Sequence, residues 1–345
     1  MINKANSQPI SLALIGAGIF ARDAHIPSLQ NLGNQFDIVA IYSRTKEGAA
    51  AAVAILEADG NKQVDVYTDV DALLAREDIE AVNVVLPIPI MVPFIEKALE
   101  SGKHVISEKP IAPTSAMARQ LMARQRPDQV WMIGENWRYE SAFVQAAEIV
   151  ARGEIGQPLH CHWALHLPMS PNSKYYGTTW RRAGEFQGGL LLDGGVHHVA
   201  GLRMVMGEIT EVNATISQMS PDILPADTLS ATLRFADGAQ GTYTVTYAAG
   251  APWPATLYVV GDDGALRVDR GTLELTKNGE TSTISCPKYD GVELELAAFG
   301  HGIRAGQSHI NGPDAALQDV LVIEAMLKSA CEHRMVAVEM LPCNL

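Results

Sequence analysis

The sequence predicts an α/β domain over residues 1–134, built as a doubly wound parallel sheet, and an α+β domain over residues 135–345 with a large, mostly antiparallel open sheet. Three observations predict it. In Ser11–Ala21, SLALIGAGIFA, an apolar run ends at Gly16, Gly18 follows, and Ala21 takes the last place of a G-x-G-x-x-G/A pattern. Short apolar runs then alternate with helical patterns as far as Gly134. Beyond that point strand-like runs follow one another, with Asp-Gly and Asn-Gly turns between them.

Leu12–Ile15 reads as a buried parallel strand entering a tight turn. Gly16 makes the turn, Gly18 lets backbone approach a pyrophosphate, and Ala21 lets the next helix pack close to the strand. A second strand at Ile38–Tyr42 falls in the interval of a βαβ unit, so Gly16, Gly18, Ile19 and Phe20 are expected to bind a dinucleotide. The alternative is an ordinary glycine-rich strand-to-helix turn. Further strands are expected near Val66 and at Ala81–Leu86, His104–Ser107 and Val130–Ile133. Helices are expected at Lys46–Glu57, Asp69–Arg76, Val92–Ser101 and Thr114–Arg126, with Asp69 an N-cap and Gly102 a stop.

After a helix at Glu140–Arg152 come strands at Leu159–Leu167, Val212–Gln218, Thr228–Phe235, Gly241–Tyr247, Thr256–Val260, Ala265–Val268 and Thr272–Leu275. Asp237-Gly238, Asp262-Asp263-Gly264 and Asn278-Gly279 are the hairpin turns. Helices at Val292–Ala305 and Pro313–Glu332 close the chain. A net charge of −13 argues against a broad nucleic-acid surface, which needs clustered Lys and Arg. No run approaches the length of a membrane span, and the N-terminal apolar run is too short for a signal-peptide core. Cys161, Cys286, Cys331 and Cys343 have no metal-ligating spacing and read as thiols of a reducing cytoplasm, where the chain is expected to work.

Three groups carry candidate chemistry. Leu86-Pro87 and Glu108-Lys109-Pro110 fall at the carboxyl edge of the parallel sheet, where ligands bind in open α/β folds. Lys109 precedes a proline and is held extended, placed to touch a cofactor and a substrate oxygen or, alternatively, a surface lysine before a turn. In Gly188–His198, Asp193 and His197 stand four apart and share one face if a helix begins near Gly194; a carboxylate beside an imidazole is an acid/base pair. Glycines around them would let a small ligand near the backbone. The alternatives are a capping Asp with a core His, or a metal site including His198, although adjacent histidines point to different helix faces and no metal is expected. Asn136, Trp137, Arg138 and Tyr139, with Trp180 and Arg181, form the third group: ligand contacts or a plain aromatic-arginine cluster.

GAGIFA, GKHVISEKP, GENWRY and GGLLLDGGVHH, in this order, resemble the glucose-fructose oxidoreductase / inositol dehydrogenase (Gfo/Idh/MocA) family over nearly the whole chain. The resemblance implies an N-terminal Rossmann domain, NAD or NADP, and hydride transfer at a secondary alcohol or ketone of a sugar, inositol or diol. It makes Lys109 the catalytic lysine, Asp193 the active-site aspartate and His197 the proton donor or acceptor. Three positions depart from the family pattern: Ile88 replaces an asparagine, Met91 stands where a histidine is common, and Ala200 stands where an aspartate often follows the catalytic histidine.

The expected cofactor site comprises Gly16, Gly18, Ile19, Phe20, Ser43, Arg44, Leu86, Pro87, Glu108, Lys109, Asn136, Trp180 and Arg181. The expected substrate site comprises Lys109, Arg138, Tyr139, Tyr175, Tyr176, Asp193 and His197, with His166 a further proton-relay candidate. NADP is expected over NAD, because the second strand ends in Tyr42-Ser43-Arg44 where an NAD enzyme carries an acid for the ribose, and Asp37 lies before that strand. The reaction expected is NADP-dependent oxidation or reduction of a small sugar-, inositol- or diol-like compound. The alternatives are a cofactor-binding sensor without turnover and a redox-assisted glycosidase. A homodimer or homotetramer through the C-terminal sheet is expected, since Thr242–Tyr247 alternates threonine with Tyr or Val and both faces need covering.

Overall fold

The apolar run ahead of Gly16 becomes an inner strand because it is buried on both faces, the condition of a parallel sheet covered by helices. The structure, a computed structural model, describes residues 8–58 and 63–341, and Cys343 lies outside them. The described chain divides into two compact units, Met1–Asn136 with Val292–Ala315, and Trp137–Gly291 with Ala316–Leu345.

In the first unit β1 (Ile10–Ile15), β2 (Phe36–Tyr42), β3 (Asp65–Tyr67), β4 (Ala81–Val84), β5 (His104–Glu108) and β6 (Trp131–Gly134) form one sheet in the order β3-β2-β1-β4-β5-β6. Every pairing is parallel. The chain winds outward from β1 to β3, then crosses to β4 and winds the other way, so the strand order reverses between β1 and β4. All strand carboxyl ends therefore share one edge, and that reversal is where such sheets take ligands.

A π-helical turn, Ala21–His25, leads into α1 (Ile26–Asn31). Thr45 caps α2 (Lys46–Glu57) by accepting the Gly48 N–H at 3.0 Å, and Asp69 caps α3 (Val70–Leu74). α4 (Ile88–Glu100) starts earlier than the sequence suggests, because Pro89 sits in its first turn, where no N–H is needed. α5 (Ser115–Met122) is capped by Thr114.

A 3₁₀ turn, Asn136–Tyr139, leads from the first unit into the second, where α6 (Ser141–Ala151) and β7 (Pro158–His166) follow. Two helices, α7 (Leu190–Asp193) and α8 (Gly195–Met206), precede β8 (Ile209–Ser217), β9 (Thr228–Phe235), β10 (Gln240–Thr246), β11 (Leu257–Gly261), β12 (Ala265–Asp269), β13 (Thr272–Lys277) and β14 (Glu280–Ser285). After α9 (Gly291–Ala305) and α10 (Pro313–Glu332), β15 (Val336–Ala337) adds an edge strand. The nine strands run β14-β13-β12-β11-β7-β10-β9-β8-β15. Among the described residues of this sheet, only β7 and β10 pair in parallel. β10 alternates as its sequence implies, with Tyr243 and Val245 fully buried and Thr242, Thr244 and Thr246 half-exposed.

Two features escape local pattern. β14 is polar except for Ile284 and carries no apolar alternation; it exists because Asn278 (φ 53°) and Gly279 (φ 78°) form a tight turn that folds the chain back onto β13. Residues 292–315 group with the first unit, although a division at 134 puts them with the second. There Phe299, fully buried, stacks on Phe36 at 6.4 Å, and Arg304 pairs with Glu80.

His104 at the start of β5 ties acidity to stability. Burial pulls its pKa down, and its Nδ1 accepts the Val130 N–H at 3.0 Å, which only an unprotonated nitrogen does. The unfolded chain takes up this proton near about pH 6.5, and the folded chain only at lower pH. The contribution of His104 is therefore fully present above that value and is lost as pH falls through the folded pKa. Thermal unfolding measured from pH 8 to pH 5 should show Tm falling on the acid side, with a shallower fall in His104→Gln.

Candidate active site

The dinucleotide turn is shaped by one close approach. Gly16 has φ 119°, and a Cβ there would stand 2.2 Å from the Val85 carbonyl oxygen, so no other residue fits without moving β4. A Cβ on Gly18 would meet nothing within 4 Å, which leaves an open cradle on the turn's exposed side. Ala21, the first residue of the π-helical turn, is fully buried, and no side chain caps that start. A bare cradle at an uncapped helix start fits a pyrophosphate. Ile19 and Phe20 flank it, half-buried.

The other expected cofactor residues of this unit follow strand ends at the same edge. Ser43 and Arg44 follow β2: Ser43 packs beside Gly48 in the first turn of α2, and Arg44 is exposed. Asp37 lies inside β2, near its amino end and opposite Ser11, so no carboxylate ends that strand. Leu86 and Pro87 follow β4 and are half-buried; Asn136 follows β6 and is buried. Lys109, half-buried, follows β5, and its bond to Pro110 is cis. Glu108 is buried, with its carboxylate 2.8 Å from the ring of His25, a residue sequence reasoning passed over.

In the second unit the core of the site is Asp193, buried at the end of α7. Its carboxylate accepts from Arg181 Nε at 3.0 Å, and the guanidinium of Arg181 lies over the rings of Trp180 at 4.2 Å and Tyr175 at 4.7 Å. Tyr175, Trp180, Arg181 and Asp193 thus form one assembly, in which a buried anion is paired and its partner is held by stacking. Tyr176 turns away: its ring lies under Arg182 at 3.9 Å and its hydroxyl donates to Asp222.

The helix expected near Gly194 begins at Gly195, and the two histidines part as adjacent helix positions must. His198 is buried, with Nδ1 2.7 Å from the Tyr243 hydroxyl, while His197 is half-buried with its ring stacked 6.0 Å from that of Trp137. Met91 and Ala200 are both core residues. Arg138 is buried in an ion pair with Asp319 at 2.6 Å; Asp319 also holds Arg203. Tyr139 ends the 3₁₀ turn, half-buried. His166 closes β7 with its ring 6.2 Å from that of Trp253.

The glycines around Asp193 serve packing where sequence suggested ligand access. A Cβ on Gly194 would stand 1.9 Å from the Tyr247 hydroxyl, and one on Gly195 would stand 2.8 Å from Ile323 Cδ1. The two let the start of α8 lie directly on Tyr247 and on α10. Burial and then the charge of Asp193 push the Tyr247 phenol well above its ordinary pKa, so it stays protonated. Among the described residues its hydroxyl has no hydrogen-bond partner.

Gly194→Ala should therefore cost about 1–3 kcal/mol, the usual scale of overpacking, while Tyr247→Phe alone should cost less because it removes a polar atom that is not bonded. The double variant Gly194→Ala/Tyr247→Phe should recover most of the loss. Chemical denaturation of the four proteins measures the cycle, and additive losses would refute the contact.

Two family models match the chain: an oxidoreductase family with an NAD-binding Rossmann fold over residues 10–133, and the GFO/IDH/MocA C-terminal domain over residues 143–267. A dehydrogenase of Fusarium mangiferae is 31% identical over 94% of this chain and 98% of its own. An oxidoreductase from Thermotoga maritima has the same fold at a TM-score of 0.86, 33% identical over 95% of this chain and 98% of that one. Levoglucosan dehydrogenase in complex with NADH superposes at 0.86 over 97% of this chain and 100% of its own, with 22% identity, and shows the fold. Matched by both models and by relatives along nearly its full length, the chain belongs to the GFO/IDH/MocA family of oxidoreductases with an NAD-binding Rossmann domain.

Proposed function

We propose that the protein is an NADP-dependent dehydrogenase or reductase acting on a secondary alcohol or carbonyl of a small sugar-, inositol- or diol-like compound. The observation that carries this reading is an ammonium, Lys109, at the same sheet edge as an open glycine cradle, in a chain of this family. When bound, the dinucleotide supplies the hydride donor or acceptor. Gly16 and Gly18 bring backbone to its pyrophosphate, and Ser43 with the exposed Arg44 takes a 2′-phosphate; the absence of a carboxylate at the end of β2 supports NADP. The NADH in the levoglucosan dehydrogenase structure marks NAD as the competing cofactor. Leu86 and Pro87 wall the nicotinamide.

Lys109 stabilises negative charge developing on the substrate oxygen. His197 takes or returns the hydroxyl proton. Asp193, locked to Arg181, holds a paired carboxylate four residues before His197. Tyr139, Tyr175 and Arg138 shape the substrate side. Tyr176, engaged by Arg182 and Asp222, has the weakest claim to substrate contact.

Deuterium transfer from C4-labelled NADPH to a panel of sugars, inositols and small aldehydes tests the reading, alongside titration of NADP and NAD. His197→Ala should slow transfer about 10²- to 10⁴-fold with little change in cofactor affinity. Tighter binding of NAD, unaffected by Arg44→Ala, would sink the NADP preference. Cofactor binding without transfer to any compound would favour a sensor.

We also propose a homodimer or homotetramer built on the outer face of the nine-stranded sheet. Leu159, Tyr258 and Val260, 51%, 42% and 46% exposed on the neighbouring strands β7 and β11, lie beside the threonines of β10 and support a second copy as the cover. Light scattering at micromolar concentration should give a multiple of the chain mass, lowered by Tyr258→Glu/Val260→Lys. A monomeric wild type would refute it.

A further inference from the structure

We propose that His25 is a positioning residue that acts on Lys109 through Glu108. The inference rests on the reading of Lys109 as a catalytic group. His25 ends the π turn that follows the dinucleotide cradle, and it is fully buried. Its Nε2 lies 2.8 Å from Glu108 Oε1 and its Nδ1 lies 2.8 Å from Asn83 Nδ2. These contacts fix its protons. An amide nitrogen only donates, so Nδ1 accepts; a carboxylate only accepts, so the ring hydrogen sits on Nε2.

The imidazole therefore joins three elements at the ligand edge: the helix start after β1, the middle of β4 through Asn83, and the last residue of β5 through Glu108. The carboxylate is boxed from another side, since a Cβ on Gly134 would stand 3.0 Å from Glu108 Oε1. Phe20, beside the cradle, meets the His25 ring edge-on at 5.2 Å. Lys109 is the next residue after Glu108. With Glu108 held, the Lys109 backbone leaves β5 from a fixed point and its ammonium is presented in a narrow range of positions. A π turn adds one residue to a helix, and such insertions gather at functional sites. Loss of His25 strands a buried carboxylate, which must then take up a proton or swing toward water and carry Lys109 with it.

The test compares His25→Leu and His25→Gln with wild type. The Gln amide nitrogen reaches the position of Nε2 and donates to Glu108; Leu does not. Two readouts are followed after thermal melts show each protein folded: the pH titration of the Lys109 signal in ¹³C-dimethylated protein, assigned with Lys109→Arg, and kcat against cofactor Kd for the unmodified enzyme. In His25→Leu the Lys109 titration should move and kcat should fall about 10²-fold, the scale of a misplaced catalytic group, with Kd changed far less; His25→Gln should restore most of both. An unmoved titration in His25→Leu, or equal losses in the two variants, overturns the proposal. Should His25→Leu not fold, ¹⁵N shifts of the wild-type ring at pH 8, assigned against His25→Gln, still decide, because the reverse tautomer, with the hydrogen on Nδ1, overturns it. A wild type that turns over no compound refutes the redox reading, and the Lys109 titration then judges His25 by itself.

Discussion

The close approach of the Gly16 backbone to the Val85 carbonyl is the constraint on which the first unit's ligand edge depends. At 2.2 Å from a Cβ position there is no room for a side chain, so the turn after β1 closes onto the end of β4 only with glycine. β1 and β4 are the neighbours across which the strand order reverses. The contact therefore holds the turn and the end of β4 at the point where a doubly wound sheet takes its ligand, and every residue at a strand's carboxyl end, Lys109 included, inherits its place from that parallel register.

A comparable contact governs the second unit. Gly194 and Gly195 let α8 start directly on Tyr247 and Ile323, which sets Asp193 at the end of one helix and His197 in the first turn of the next. Asp193 is buried with Arg181 as its partner, and Arg181 is itself clamped over Trp180 and Tyr175. The same logic holds Asp319 between Arg138 and Arg203. Asp193 and Asp319 are each met by fixed donors, and breaking one such pair strands the other partner.

The electrostatic arrangement near each candidate catalytic group is thus indirect. Glu108, the residue before Lys109, is held by His25, and Asp193, four residues before His197, is held by Arg181. The supporting residues contact other protein groups and take their meaning from what they orient, so removal of a supporter and removal of a reacting group should leave different signatures in rate and affinity.

The sequence by itself determined the strands of the parallel sheet, the helix cap at Asp69, the glycine turn after β1 and the alternation of β10, because each is written in neighbouring residues through periodicity, capping and turn chemistry. Motif order also placed the chain in its family. Only the tertiary structure decided that Glu108 meets His25, 83 positions earlier, and that Arg138 meets Asp319, 181 positions later. It likewise assigned residues 292–315 to the first unit and turned the glycines beside Asp193 from expected ligand access to helix packing. A buried histidine, a paired arginine and a packing glycine have no local signature: what they do depends on which atoms the fold brings within a few ångströms, and chain neighbours carry no record of that.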